Sequence, residues 1–285
     1  MSEIESVAVV GAGFMGIGIA ESVAVAGIPV VVRDVDEASL SRAGERLGSS
    51  LARAVRGGKL DESAAQAARE RVSLTTELDS IGEADLVIEA VPEEEQLKLR
   101  VMSAIAEVVS DHAIVASNTS SIPIAQLAQA ISMPERVLGL HFFSPVPVMM
   151  LVEVVVALDT SRSTIDTAKQ FVQKLGKQPI ETKDRSGFIV NMLLIPYLMA
   201  AVRMYEEGFA TREDIDKGMK LGCGHPMGPL TLSDFIGLDV LYAIGASLYD
   251  EFKRDEYAPP PLLKRMLASG RLGRKSGRGF YEYAN

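Results

Sequence analysis

One carboxylate stands where a carboxylate is costly. Glu153 is the only charged residue between Val146 and Leu158, in a stretch that is otherwise nearly all apolar. Inside a buried strand such a group is unfavourable unless it has a partner. His141 ends the preceding apolar run and is followed by Phe142 and Phe143. A carboxylate on one imidazole nitrogen fixes the tautomer and raises the basicity of the other, which is what taking a proton from an alcohol requires. Taken singly, His141 reads first as a satisfied core histidine, and Glu153 could be an outward-facing strand residue. Together, at strand ends, they read as a general base and its orienting partner. The other two histidines suit that role less: His112 lies in a polar stretch and His225 in a turn before Pro226. Asn118-Thr119-Ser120-Ser121 follows the apolar run Ala113 to Ser117 and offers hydroxyls and amides to a bound oxygen. Ser121 could instead cap the helix expected to start near Ile124. Asn191 interrupts the apolar face Phe188 to Ile195. A buried amide needs partners, and a substrate carbonyl or a structural hydrogen bond would serve.

A second constellation lies at the start of the chain. Gly11-Ala12-Gly13-Phe14-Met15-Gly16 follows the apolar Val7 to Val10 directly and opens a helical stretch. Alone the spacing is weak, but between strand and helix it predicts a dinucleotide site. Gly11 permits the tight turn, Gly13 leaves room for a pyrophosphate, and Gly16 lets helix and strand approach. The helix N-terminus then supplies N–H groups and dipole. Asp34 ends the next strand, about 20 residues on, where a carboxylate binds the adenosine ribose diol. A 2′-phosphate there would meet a like charge, so NAD is the expected cofactor rather than NADP. Arg33 is adjacent, but neighbouring strand residues point to opposite faces.

These residues need a scaffold that sets them at strand ends, and the pattern supplies one. Short apolar runs (7–10, 30–32, 86–91, 113–117, 137–141 and 151–156) alternate with helical stretches (14–26, 39–56, 62–71 and 94–110). That alternation predicts parallel strands with helical crossovers. After Lys183 the strands stop. Helices are expected over 188–207, from a Thr211-Arg-Glu-Asp214 capping box, over 230–252, and over 262–267 after Pro259-Pro-Pro261. The predicted fold class is therefore α/β. A Rossmann-type N-terminal domain with a mostly parallel sheet (1–184) precedes an all-helical C-terminal domain (185–285). Several of the later helices are apolar on more than one face, which predicts a homodimer through that domain.

Composition sets the outer limits. The chain has 285 residues, 47% of them hydrophobic and 24% charged, enough for two cored domains. A net charge of -9 disfavours general binding to nucleic acid or to anionic membrane. With one cysteine, Cys223, no internal disulfide can form, which suits a reducing compartment. Met1 to Ser6 is polar and acidic, unlike the start of a signal peptide, and the apolar runs are broken by charge before reaching about 18 residues. A cytoplasmic protein without metal, membrane or nucleic-acid partner is expected.

The motifs taken together resemble the 3-hydroxyacyl-CoA dehydrogenase family. The resemblance rests on Val10-Gly-Ala-Gly-Phe-Met-Gly16, Glu89-Ala-Val-Pro-Glu93, Ser117-Asn-Thr-Ser-Ser121, His141-Phe-Phe-Ser-Pro-Val-Pro-Val-Met149, Leu151-Val-Glu-Val154, Gly187-Phe-Ile-Val-Asn191, Pro226-Met-Gly-Pro229 and Gly277-Arg-Gly-Phe-Tyr281, in order along the whole chain. It implies that His141 is the catalytic base, Glu153 its partner, and Ser120 and Asn191 the groups at the substrate oxygen. It places Glu93, Lys98, Asn118, Ser144 and Lys275 on the cofactor side, and Ser50, Arg56 and Lys59 at the CoA tail. The implied substrate is a short-chain acyl-CoA, as in fatty acid metabolism and β-oxidation. Two positions depart from the family pattern: Ser144 stands where asparagine is usual, and Met150 where a basic residue is common. Other readings of the same residues are an NAD enzyme of a non-CoA hydroxy acid or sugar acid, a non-catalytic nucleotide-binding protein, and a flavin enzyme.

Overall fold

Four-residue runs of Val, Leu and Ile make the central strands, and they are buried on both faces, as parallel strands covered by helices must be. The structure, a computed structural model, describes residues 3–283; Met1 and Ser2 of the polar N-terminal stretch, and residues 284–285 of the expected helical domain, lie outside them. The chain divides into two compact units, Met1–Asp184 and Arg185–Asn285.

The first unit runs β1 (Val7–Val10), α1 (Phe14–Val25), β2 (Val30–Arg33), α2 (Glu37–Arg56), α3 (Glu62–Glu70), β3 (Val72–Thr75), β4 (Leu86–Glu89), α4 (Glu95–Val108), β5 (Ile114–Ser117), α5 (Ile124–Ala128), β6 (Val137–Phe142), β7 (Leu151–Val156), α6 (Arg162–Lys174) and β8 (Gln178–Lys183). The sheet order is β3-β2-β1-β4-β5-β6-β7-β8. All pairings are parallel except β6 with β7, which is antiparallel. The order reverses at β1, between β2 and β4, which is where open sheets of this kind hold dinucleotides.

The core is built on the α1 face by Ile19, Val23, Val30, Val32, Leu86 and Ile88, and around β6 and β7 by Leu138, Leu140, Val152 and Val154. Helix α2 turns Leu40, Ala43, Leu47 and Leu51 inward at helical spacing and caps its N-terminus with Asp36.

Two strands were not legible in the sequence. β3 and β8 are the edges of the sheet and are only partly buried, so neither needs a continuous apolar run. Pro179 in β8 is the kind of residue an edge strand tolerates. Ser121 does not cap α5. The Asp184 carboxylate does, accepting hydrogen bonds from the Ile124 and Ala125 N–H groups at 2.8 and 2.7 Å.

The second unit holds α7 (Val190–Glu206), α8 (Arg212–Gly222), α9 (Pro229–Ile236), α10 (Leu238–Phe252) and α11 (Pro261–Ala268). Its core gathers Ile195, Leu198, Met199, Leu230, Leu238, Leu241, Leu248 and Leu263. Thr211 caps α8 through the Asp214 N–H. The single helix expected over 230–252 is two helices, bent by 97°. The break is Gly237, whose φ of 104° no side-chain-bearing residue adopts easily. Helix α7 begins two residues later than its apolar run, because Phe188 has a positive φ of 49°. Among the described residues no single helix is long and apolar enough to cross a membrane.

Candidate active site

The glycine loop leads from β1 into α1. Gly11 has φ 109°, and a Cβ there would lie 2.7 Å from the Ala90 carbonyl oxygen. At Gly16 a Cβ would lie 1.9 Å from the Gly11 oxygen, so only glycine lets α1 return this closely. Gly13 faces open space, with nothing within 4 Å of a Cβ. It starts α1 without any side-chain cap, leaving the first helical N–H groups for an anion. Phe14 beside it is exposed, and Met15 packs on the core. Asp34 closes the loop from β2: its Oδ2 accepts the Ala12 N–H at 2.8 Å and its Oδ1 the Val35 N–H at 2.8 Å. Each oxygen keeps a further lone pair for a ribose hydroxyl. Arg33 turns the other way and donates Nε–H to the Thr76 carbonyl at 3.2 Å. An open glycine, an uncapped helix start and a carboxylate tied to the loop fit the pyrophosphate and adenosine ribose of NAD.

The next wall comes from the ends of β4 and β5. Glu89 closes β4 and is fully buried. Its Oε1 accepts from Lys98 Nζ and the Val91 N–H, both at 2.7 Å, and its Oε2 from the Ser117 hydroxyl at 2.5 Å. Lys98 sits in the second turn of α4. A helical side chain leans toward its own N-terminus, so Lys98 reaches back over the strand end. The ammonium, 1% exposed, also donates to the Val91 carbonyl at 3.1 Å and lies 3.3 Å from Glu93 Oε2. Three acceptors for three N–H bonds make this buried cation tolerable. Lys98 thereby ties the ends of Glu89 and Glu93 together.

Glu93 gathers the following loop. Its Oε1 accepts from the Thr119 hydroxyl (2.7 Å), the Ser120 N–H (2.8 Å) and the Ser121 hydroxyl (2.9 Å). Burial pushes its carboxyl up, but the Lys98 charge and these hydrogen bonds outweigh burial and hold it below the usual range. Asn118 points the other way: its Oδ1 accepts the Phe142 N–H at 2.9 Å, linking the loop to the end of β6.

His141 is the fifth residue of β6 and faces Glu153 directly across the antiparallel ladder to β7. Directly opposed residues bring their side chains together, and here Nδ1 lies 2.7 Å from Glu153 Oε2. Glu153 is fully buried and His141 is 7% exposed. With Glu153 ionised, the Nδ1–H donates to it, and Nε2 becomes the basic nitrogen. The Phe143 ring packs on the imidazole, centroids 4.6 Å apart.

His141, Glu153, Asn118, Ser120, Glu93 and Lys98 thus form one constellation at the ends of β4, β5 and β6, knitted by the bonds above. Ser144 is exposed in the turn after β6. Ser50 lies on α2 with its hydroxyl on Glu21 at 2.9 Å, and Arg56 and Lys59 are exposed just beyond. Asn191 occupies the first turn of α7. Lys275 lies 2.6 Å from Asp239. Glu89 and Ser117 were missed as site-forming residues. Glu89 carried the same signal as Glu153, a lone charge inside an apolar strand run. No cluster of three or more His, Cys, Asp or Glu side chains that could hold a metal occurs among the described residues.

A dinucleotide loop at a topological switch point, with a histidine–carboxylate pair at a nearby strand end, defines an NAD-dependent oxidoreductase. Residues 6–185 match the NAD-binding domain of 3-hydroxyacyl-CoA dehydrogenase, and residues 187–283 match its C-terminal domain. The chain belongs to the 3-hydroxyacyl-CoA dehydrogenase family, and NAD is its cofactor. It is 50% identical over 282 residues to a 3-hydroxybutyryl-CoA dehydrogenase of Mycobacterium tuberculosis, covering 98% of this chain and 99% of that one. The crystal structure of FadB2 from M. tuberculosis aligns with a TM-score of 0.98 at 50% identity, over 99% of this chain and 100% of that one. The (S)-3-hydroxybutyryl-CoA dehydrogenase PaaH1 of Ralstonia eutropha aligns with a TM-score of 0.95 at 44% identity, again over 99% and 100%.

Proposed function

We propose that this protein interconverts 3-hydroxybutyryl-CoA and acetoacetyl-CoA. The observation that carries the reading is the 2.7 Å contact of His141 Nδ1 with the buried Glu153, which makes Nε2 a general base. NAD, when bound, accepts or returns the hydride at the substrate's third carbon. His141 takes the hydroxyl proton in the oxidative direction and returns it to the carbonyl oxygen in the reverse. Glu153 keeps the ring in the required tautomer and stabilises its protonated form. Ser120 and Asn191 hydrogen-bond the substrate oxygen as its charge changes. Glu93, Lys98, Asn118, Ser144 and Lys275 serve the cofactor side; Gly11, Gly13, Phe14, Met15, Gly16 and Asp34 hold the dinucleotide.

The anionic end of CoA is assigned to α2 and the turn after it. In a chain of net charge -9 this segment is locally basic. Arg46, Ser50 and Arg53 recur at i, i+4 and i+7 and so share one face, and Arg56 and Lys59 follow. Residues 1–184 are read as the cofactor domain, and 185–285 as the substrate-binding and dimerisation domain. A cytoplasmic homodimer acting in fatty acid metabolism, in β-oxidation or its reverse, completes the reading.

The test is NADH oxidation with acetoacetyl-CoA beside free acetoacetate. Turnover of the thioester at least about a hundredfold more efficient than of the free acid is expected, from the binding energy of the CoA moiety. Equal or better use of the free acid would overturn the substrate reading.

A further inference from the structure

Helix α1 is apolar along its length except at one place. Glu21 lies in its middle and is 5% exposed. The chemistry described above does not use it, and it caps no helix. A buried carboxylate needs a reason. Its partner is Ser50 on α2, whose hydroxyl donates to Glu21 Oε1 at 2.9 Å. A serine inside a helix ordinarily bonds back to the carbonyl four residues earlier. Ser22 of α1 does so, donating to the Gly18 oxygen at 3.1 Å. Ser50 bonds across to Glu21 instead.

Two cations act on this carboxylate through their charge: Arg53 on α2, and Lys177 in the segment leading into β8. Lys177 is itself 5% exposed and donates to the Val146 and Met149 carbonyls at 2.6 and 2.8 Å. Burial pushes Glu21 up, against the Ser50 bond and the two charges. Burial pushes Lys177 down, against the Glu21 charge. Glu21 therefore ties α1 to α2 through Ser50, and it feels the charge of Lys177, which holds the turn that follows the His141 strand.

The bond has a polarity. A hydroxyl that has given its proton to a carboxylate offers only lone pairs elsewhere. Ser50 is partly exposed, so what it offers outward is an acceptor. That suits an amide N–H and does not suit a phosphate. The phosphates have the arginines.

We propose that Glu21 is a positioning residue for the thioester substrate, holding the Ser50 hydroxyl so that Ser50 accepts an amide N–H of the pantetheine arm. The proposal rests on the placement of CoA along α2 given above. It is tested by steady-state kinetics with NADH of the wild type, Glu21→Met, Glu21→Gln and Ser50→Ala. Two substrates are compared: acetoacetyl-CoA, and the S-ethyl thioester of acetoacetate, which has no amide N–H.

Glu21→Met is expected to raise KM for acetoacetyl-CoA by up to about tenfold, the loss of one hydrogen bond between the Ser50 hydroxyl and the substrate amide, while kcat stays within about twofold. Its kcat/KM for the ethyl thioester is expected to match the wild type. Glu21→Gln keeps an acceptor for Ser50 and is expected to restore KM to near the wild-type value. Glu21→Leu, read in the same way, replaces the methionine variant if that one does not fold. An unchanged KM in Glu21→Met beside a raised KM in Ser50→Ala would overturn the role of Glu21. Equal losses with both thioesters would overturn it too, as a purely structural effect. A wild-type KM in Ser50→Ala would instead overturn the placement of CoA at Ser50.

Discussion

A single histidine becomes useful only through its neighbour. Nδ1 of His141 sits 2.7 Å from a carboxylate that solvent does not reach, and the proposed role as base falls to the other nitrogen. His141→Ala is expected to lower kcat by about a hundred- to ten-thousandfold, the usual cost of losing a general base. NADH affinity, followed by fluorescence titration, is expected to stay within a few fold, because the glycine loop and Asp34 follow β1 and β2 whereas His141 lies on β6. Turnover close to wild type would remove His141 from the chemistry. Glu153→Gln keeps the shape and loses the charge, and its amide can donate to Nδ1 and favour the wrong tautomer. Its kcat is expected to fall by about tenfold to a thousandfold with KM little changed. Asp34 works by charge in the same way. Held on the Ala12 and Val35 N–H groups, it can accept from a ribose diol and repels a phosphate. Asp34→Ala is expected to narrow the ratio of kcat/KM for NADH over NADPH by about tenfold or more. A wild-type enzyme that prefers NADPH would show that Arg33 sets the choice instead.

At the scale of elements, the reversal of β7 matters most. A parallel strand at that place would arrive through a crossover of a dozen or more residues; the antiparallel return brings Glu153 into register with His141 after a short turn. The loop after β5 is fixed as firmly. Glu89 holds it from the strand end through Ser117, Glu93 ties Thr119, Ser120 and Ser121 together, and Asn118 reaches across to Phe142. In the helical unit the bend between α9 and α10 depends on Gly237. An alanine there would be strained at φ 104°, and its Cβ would lie 3.0 Å from Asp239 Oδ1 and 3.3 Å from Lys275 Nζ. Gly237→Ala is expected to destabilise the protein by about 1–3 kcal/mol, read as a lower urea midpoint at unchanged slope. It should also disturb the Lys275–Asp239 pair. A midpoint equal to the wild type would mean that the bend accommodates a side chain freely.

For the whole molecule, the first unit carries the dinucleotide loop and the His141–Glu153 pair, and the helical unit is rich in exposed apolar side chains. Leu193, Phe209 and Leu221 are each more than 70% exposed, on or next to α7 and α8. Large exposed apolar groups of this kind mark interaction surfaces. The expectation is a homodimer through the helical unit. Sedimentation equilibrium at micromolar protein should give about twice the monomer mass of 30.6 kDa. A monomer under those conditions would refute it.

The amino-acid sequence by itself determined the buried central elements and the residues that had to be special. Buried parallel strands must be apolar on both faces, so Val7–Val10 and Leu86–Glu89 announce themselves, and a charge such as Glu153 in such a run signals a partner through its desolvation cost. Glycines that admit no side chain, followed by Asp34, marked the dinucleotide loop for the same local reason. Partners were decided by the tertiary structure. Glu153 meets His141 because of a strand register, Asp184 caps a helix that starts 60 residues earlier, and Glu21 captures Ser50 from another helix. The edge strands β3 and β8 and the bend at Gly237 were equally hidden. An edge strand needs only one well-covered face, and helical spacing in 230–252 continues unbroken through a residue whose backbone turns away. Local patterns record what each residue costs to bury. Which distant group offsets that cost depends on the packing of elements, and only the folded chain contains it.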